Sequence, residues 1–289
     1  MAIYAPARLD RRQALLRAAD SLPPFSPVVN LLLAKLSRQD VRFSEISELI
    51  EKDTVMAGNL LRVVNSALYG FAGTINSVRH GLAILGIEKT RNVVLAVSMT
   101  RFWRRDPEAE GWSGTAFNLH STAVAILADL LVQYVPAEYP EGAFTAGLFH
   151  DLGKHLAASA LPKEFASVQE AIRRNRARFE EAESYHYGIL HPELSAAALE
   201  RWNLPQPIAE AVRWHHWPRP AGRPGCVSLS RILNVAGACV NSLGYGFASS
   251  RPEVCSSPEE ALAPLDLGGR LPRLLDEFRA EVEVLRCFF

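Results

Sequence analysis

The sequence predicts an all-α protein. Three observations predict it. Apolar residues recur at the three-to-four spacing of a helix face through most of the chain. No segment shows the strict alternation of a half-buried strand. With 48% of its 289 residues hydrophobic, the chain has the material for a large core, which excludes intrinsic disorder.

The elements follow in order. Arg8 to Asp20 carries leucines and alanines at helical spacing, and LPPFSP (Leu22 to Pro27) stops that helix, because consecutive prolines remove donors and clash with the preceding turn. Val28 to Leu36 resumes an apolar run. Phe43, Ile46, Leu49 and Ile50 form the stripe of a one-sided helix. Asp53 is placed to cap the next helix, whose apolar members are Val55, Leu60, Leu61 and Val64 and which ends near Asn65-Ser66. Tyr69 to Gly73 reads as a turn. A short helix with Leu82, Ile84 and Leu85 stops at Gly86, and another runs from about Glu88 to Arg101. The charged, Gly/Pro-containing segment Arg104 to Gly114 marks an internal boundary. Helices follow at Thr115 to Tyr134, Glu141 to Ala160, Pro162 to Ala177, His191 to Asn203, Pro205 to His215 and Cys226 to Leu243. Gly246 to Pro264 is Ser/Pro-rich and reads as a loop with at most one helical turn. The last helix carries Leu271, Leu275, Phe278, Val282 and Leu285 on one face, which docks it on the body. The total is about 13 helices, in segments 1–105, 106–245 and 246–289.

Composition narrows the class. Thirty-one basic residues balance thirty-one acidic ones, which argues against a dedicated nucleic-acid binder. No apolar run approaches the roughly 18 residues of a membrane span, so no membrane association is expected. The start has no apolar core of a secretory signal. The four cysteines, Cys226, Cys239, Cys255 and Cys287, form no C-x-x-C pair, so a reduced, cytoplasmic setting is the simple reading.

The chemistry is carried by polar residues that stand where apolar ones are expected. The inward stripe of the Thr115 helix reads Phe117, His120, Val124, Leu127, Leu131, apolar but for His120. In AFTAGLFHDLGKHL an apolar stretch is broken by His150-Asp151, with Lys154 one turn beyond. The stripe Ile208, Ala211, Val212 ends at His215, with His216 beside it, and His191 opens the preceding helix. An unsatisfied buried polar group costs about 1 to 3 kcal/mol. Imidazoles and a carboxylate on several inward faces can satisfy each other through an ion; nitrogen and oxygen donors suit Fe, Mn or Zn, and carboxylates also suit Mg. A water on such an ion would be acidified, and Lys154 would add positive charge for an anion. Plainer readings stand beside this one. A lone inward His is more often a hydrogen-bonded core residue, His150-Asp151 can link helices, and His215-His216 can cap a helix C-terminus. Lys154 reads as solvated or snorkelling, His186 as a helix-end residue, and His80 and His155 as surface or cap residues. Trp112, Trp202, Trp214 and Trp217 read as core or rim aromatics.

These residues carry a resemblance. His120-Ser121 followed by HDLGK (His150 to Lys154) resembles the HD superfamily of metal-dependent phosphohydrolases. LLRVVNSALYG (Leu60 to Gly70), AILG (Ala83 to Gly86), GLFHDLGK (Gly147 to Lys154), RWNLP (Arg201 to Pro205) and HHWP (His215 to Pro218) resemble the HDOD branch, found in bacterial signalling proteins, over roughly residues 20 to 240. The resemblance implies two helical lobes, an amino-terminal bundle and an HD-like bundle, and a response-regulator output role. The implied partners are signalling proteins such as a sensor kinase or a receiver domain. No receiver pattern is present, so a stand-alone module or the output part of a longer protein is expected. His120, His150 and Asp151 match three ligands of HD hydrolases. The fourth, a later Asp, falls at Asn234, on a helix without an acidic residue, which weakens metal affinity and hydroxide formation. His191, His215 and His216 resemble the added histidines of two-metal HD-GYP enzymes, but the Gly-Tyr-Pro signature is absent, which disfavours cyclic di-guanylate degradation.

Three functions remain open. The first is a non-enzymatic signal-transduction module acting through protein interaction, with a degenerate metal site. The second is a metal-dependent phosphohydrolase using His120, His150, Asp151, His191, His215 and His216, with Lys154 on phosphate. The third is a sensor that binds a nucleotide or anion without cleaving it.

Overall fold

A computed structural model describes residues 4–23, 27–36, 42–66, 68, 74–102, 107–175, 177–247 and 257–286. The predicted turn at Tyr69 to Gly73, the first residues of the Arg104 boundary, most of the Ser/Pro-rich segment up to residue 256, Cys255 and Cys287 lie outside them. The described residues are helical with no strand; a single parallel bridge joins Ala137 and Val227. The chain divides into two compact units, one of residues 1–22 and 106–278, the other of 23–105 and 279–289.

The second unit holds α2 (Pro27–Leu36), α3 (Phe43–Glu51), α4 (Thr54–Val64) and α5 (Val78–Phe102). The predicted apolar stripes close its core: Leu32, Ile46, Ile50, Met56, Leu60, Val64 and Leu82 are fully buried. Asp53 caps α4 as expected, accepting the N–H groups of Val55 (3.1 Å) and Met56 (3.0 Å). Asn65 ends α4 and holds the following loop closed: its Nδ2 donates to Ile75 O and its Oδ1 accepts from Ile75 N, both at 2.7 Å. The expected break at Gly86 is present inside α5, where φ of 74° leaves the helical region, a conformation glycine adopts without a Cβ clash.

The first unit holds α1 (Tyr4–Asp20) and α6 (Gly114–Tyr134) through most of α15 (Leu271–Arg286). Ser113 caps α6, and every residue from His120 to Ala128 is buried. By length and composition α6 could cross a membrane, against the expectation that no segment would; 67% of its apolar window is buried inside the protein, because it is the central core helix. It packs on α7 (Ala143–Phe149) and on α13 (Leu229–Ser242). Around them lie α8 (Leu152–Ala160), α9 (Pro162–Asn175), α10 (Phe179–His186), α11 (His191–Arg201), α12 (Gln206–Arg213) and α14 (Pro258–Leu262).

Four expectations need correction. The helix predicted from Glu141 to Ala160 is two helices, with His150 ending α7 and Asp151 (φ −103°, ψ 9°) preceding α8. Apolar periodicity runs through the break and does not register one residue leaving helical geometry. Apolar periodicity predicts no helix at α10, though His186 does end one as expected; its buried residues are Glu180, Ala182 and Glu183, so two carboxylates occupy the face where apolar residues would have signalled it. His155 is buried, not on the surface, with its ring against Trp112 (5.3 Å) and Phe117 (5.9 Å). Lys154 is buried and paired rather than solvated.

Candidate metal centre

The break between α7 and α8 aims two side chains at one point. Asp151 is almost fully buried, and its carboxylate sits among imidazoles from four helices or their ends. Oδ2 lies 3.4 Å from His150 Nε2, 3.5 Å from His120 Nε2 and 2.8 Å from Lys154 Nζ. Oδ1 lies 3.2 Å from His191 Nε2 and 3.9 Å from His215 Nε2. His216 Nε2 stands 3.0 Å from His191 Nε2. All six residues predicted for the site, with Lys154, therefore meet in the first unit.

Each imidazole facing Asp151 is fixed from behind. His120 Nδ1 donates to Tyr245 O (3.0 Å), His150 Nδ1 to Gly147 O (2.7 Å) and His215 Nδ1 to Val212 O (2.7 Å). A carbonyl oxygen can only accept, so each Nδ1 carries the proton, and in the neutral ring Nε2 presents a lone pair. His191 Nδ1 lies 2.7 Å from Glu183 Oε2, which also accepts the His191 backbone N–H at 3.0 Å. This is the outer-shell arrangement that orients metal-binding histidines.

Burial pushes His150 down to about 4 and His215 well below the usual histidine range, so both are neutral near pH 7. Burial pushes the Asp151 carboxyl up, but positive charge beside it, with Lys154 Nζ 2.8 Å from Oδ2, holds it well below the usual carboxylate range. Burial alone would lower His191; the Glu183 carboxylate overrides it, and its pKa is raised.

The donor set fits a cation. Lone pairs of neutral imidazoles facing a carboxylate repel it unless a positive ion stands between. Asp151 Oδ1 and His215 Nε2 are buried without a hydrogen-bond partner, a state that normally has a specific cause. Two groups have donor atoms within 4.8 Å of one another: His120, His150 and Asp151, and His191, His215 and His216. Adjacent ligands at 2.0 to 2.2 Å from a first-row ion stand about 3 Å apart, near the spacings seen.

Asn234 lines the same cavity, where the resemblance places an Asp, but its Nδ2 donates to His215 O at 2.9 Å and so braces the backbone carrying a histidine. Sequence reasoning missed Glu180 and Glu183. Glu180 Oε1 lies 3.2 Å from His216 Nε2. Both sit in FEEAESYH, whose charge density reads as a solvated surface; the signal available was the missing apolar face itself. The cavity has a volume of about 90 Å³ and is walled by Lys154, Phe179, Glu180, Asn234 and Asn241 beside the histidines. Lys154 Nζ also stands 4.7 Å from the centre of the Phe179 ring.

Comparison with known proteins gives this geometry a family. The HDOD domain matches residues 22–218. An uncharacterised protein of Treponema pallidum (strain Nichols) is 24% identical over 198 residues; the match takes in 68% of this chain but only 38% of that protein's length. An HDOD domain protein from Geobacter sulfurreducens superposes with a TM-score of 0.78 at 22% identity, covering 97% of this chain and 98% of its own. A protein from Shewanella amazonensis SB2B, provisionally named a phosphohydrolase, gives 0.71 at 23% identity, covering 94% and 98%. A protein from Marinobacter aquaeolei VT8, provisionally named for signal transduction, gives 0.69 at 17% identity, covering 97% of this chain and 66% of that one. At these identities the structures establish the fold, and the match over most of the sequence establishes that the chain belongs to the HDOD family.

Proposed function

We propose that this chain is a signal-transduction module whose His/Asp pocket binds a divalent transition-metal ion and a phosphate-sized anion, and which acts on partner proteins rather than by nucleotide turnover. The observation that carries it is the size of the cavity: about 90 Å³, against roughly 300 Å³ or more for pockets that enclose drug-sized ligands. An ion with its waters or a single phosphate group fits inside; the remainder of a nucleotide would lie outside the cavity.

His120, His150 and Asp151 would hold the ion, with His191, His215 and His216 forming the adjoining group. Bound there, a metal supplies a Lewis acid that acidifies water and attracts phosphate oxygens. Lys154 neutralises part of the Asp151 charge and offers the cavity a cation. Tyr245, Gly147, Val212 and Glu183 keep the rings oriented. The partner class, a sensor kinase or a receiver domain, rests on the family resemblance. Metal content of the purified chain, followed by incubation with nucleotides and a generic phosphodiester in manganese or iron, tests the reading. Bound metal without turnover is expected. Turnover abolished by Asp151→Ala overturns it.

A second reading, metal-dependent phosphohydrolase, is favoured by the convergence of four oriented imidazoles on one carboxylate beside Lys154. That pre-orientation is what a hydrolytic centre needs, and the same turnover measurement decides between the two.

A further inference from the structure

We propose that Glu180, from the first turn of α10, supplies the second anionic ligand of this pocket and so substitutes for the carboxylate missing at Asn234. The inference rests on the metal-binding reading above and names a residue that neither the family pattern nor the sequence pointed to.

The argument begins with hydrogen-bond capacity. His191 Nδ1 is committed to Glu183, and a metal takes a histidine only with its facing nitrogen deprotonated, so in the metal-ready ring Nε2 is an acceptor. His216 Nε2 faces two acceptors at once, His191 Nε2 at 3.0 Å and Glu180 Oε1 at 3.2 Å. One N–H cannot serve both. A cation among the three atoms satisfies all of them.

Burial points the same way. The Glu180 side chain is only 6% exposed, and its Oε2 has no hydrogen-bond partner. The one guanidinium nearby, Arg178, stands 3.9 Å away and is half exposed. A carboxylate this buried needs a close positive charge. Glu180 also lines the cavity itself, as Asn234 does.

Charge balance supplies the third argument. Among the described residues, Asp151 is the other carboxylate that faces the Nε2 atoms of the imidazoles, and Lys154 already offsets it at 2.8 Å. Glu183 is spent on His191. Without Glu180, a second divalent ion at His191, His215 and His216 would have only a shared, largely neutralised anion. With it, that ion gains a full negative ligand. Asn234, its amide engaged with His215 O, then acts as a brace.

The test is metal stoichiometry, which does not depend on activity. Chelator-stripped wild-type protein and Glu180→Gln are titrated with Mn²⁺ or Co²⁺, and bound metal is counted by mass spectrometry. The expected result is two equivalents for wild type. In Glu180→Gln the second equivalent weakens at least about tenfold while the first is unchanged, and Glu180→Gln/Asn234→Asp recovers it. Should Glu180→Gln lose its helical circular dichroism, Glu180→Asp takes its place, keeping the charge but retracting it by one methylene, again with only the second equivalent weakened. Two equivalents of undiminished affinity in the Glu180 variants overturn the proposal, as does a single wild-type equivalent that those variants leave unchanged. A wild-type protein that binds no metal overturns the parent reading as well, and so is told apart from failure of Glu180 alone.

Discussion

Lys154 and Asp151 form a buried ion pair, and such pairs are sensitive to losing one member. Lys154→Met is expected to destabilise the chelated protein by about 3 kcal/mol, read from urea denaturation, because Asp151 keeps its charge and loses its closest cation. Saturating metal should recover much of that loss by taking over the neutralising role. His155 gives a pH prediction. Burial lowers its pKa from 6.5 to about 3. Between those values the unfolded chain binds the proton and the folded chain does not, so stability falls as pH drops through the window. His155→Phe, which suits the neighbouring Trp112 and Phe117 rings, should flatten that acid limb in thermal melts; an unchanged slope would refute the assignment. His120 and His150-Asp151 were legible in the sequence because each interrupts an apolar stripe. Glu180 and Glu183 were not, because a carboxylate among other charged residues looks the same whether it faces water or an ion.

Helix packing explains the glycine of HDLGK. A Cβ on Gly153 would meet His191 O at 2.3 Å and His191 Cα at 2.8 Å, both backbone atoms that cannot swing aside. Gly153 N also donates to Ser195 Oγ at 2.7 Å, so α8 and α11 touch there main chain to main chain. Gly153→Ala should cost about 2 kcal/mol or more by overpacking and should also weaken metal binding, since the clash moves His191; calorimetric melting with and without metal reads both. At α4, Asp53→Ala should cost about 1 kcal/mol through loss of the cap, with metal affinity untouched. The element boundaries show where patterning works. The breaks at Gly86 and after Val64 were predictable, because glycine and polar punctuation mark them. The break at His150-Asp151 was hidden because the surrounding residues stay buried on both sides of it, so the apolar signal never lapses.

Across the whole molecule, metal removal should act unevenly. All the candidate ligands belong to the unit of residues 1–22 and 106–278. Ion at about a hundred times its dissociation constant adds roughly 2.7 kcal/mol to whatever binds it. Differential scanning calorimetry should therefore show the melting of that unit shifting upward with metal while the melting of the other unit stays in place; a uniform shift would place binding elsewhere. The all-α class was readable from periodicity alone, since nearly every helix buries an apolar stripe. How the chain partitions was not readable in the same way, because the docking of α1 on α8 and α11 depends on contacts distant in sequence. One such distant contact bears on any shortened version of the protein. The carbonyl that steers His120 belongs to Tyr245, and Asn234 steadies His215 from α13, yet the family match closes at residue 218. A fragment trimmed to the family limits would carry all five histidines and the aspartate, but with the His120 ring untethered and the His215 backbone unbraced, and an inert result from it would report the scissors rather than the protein.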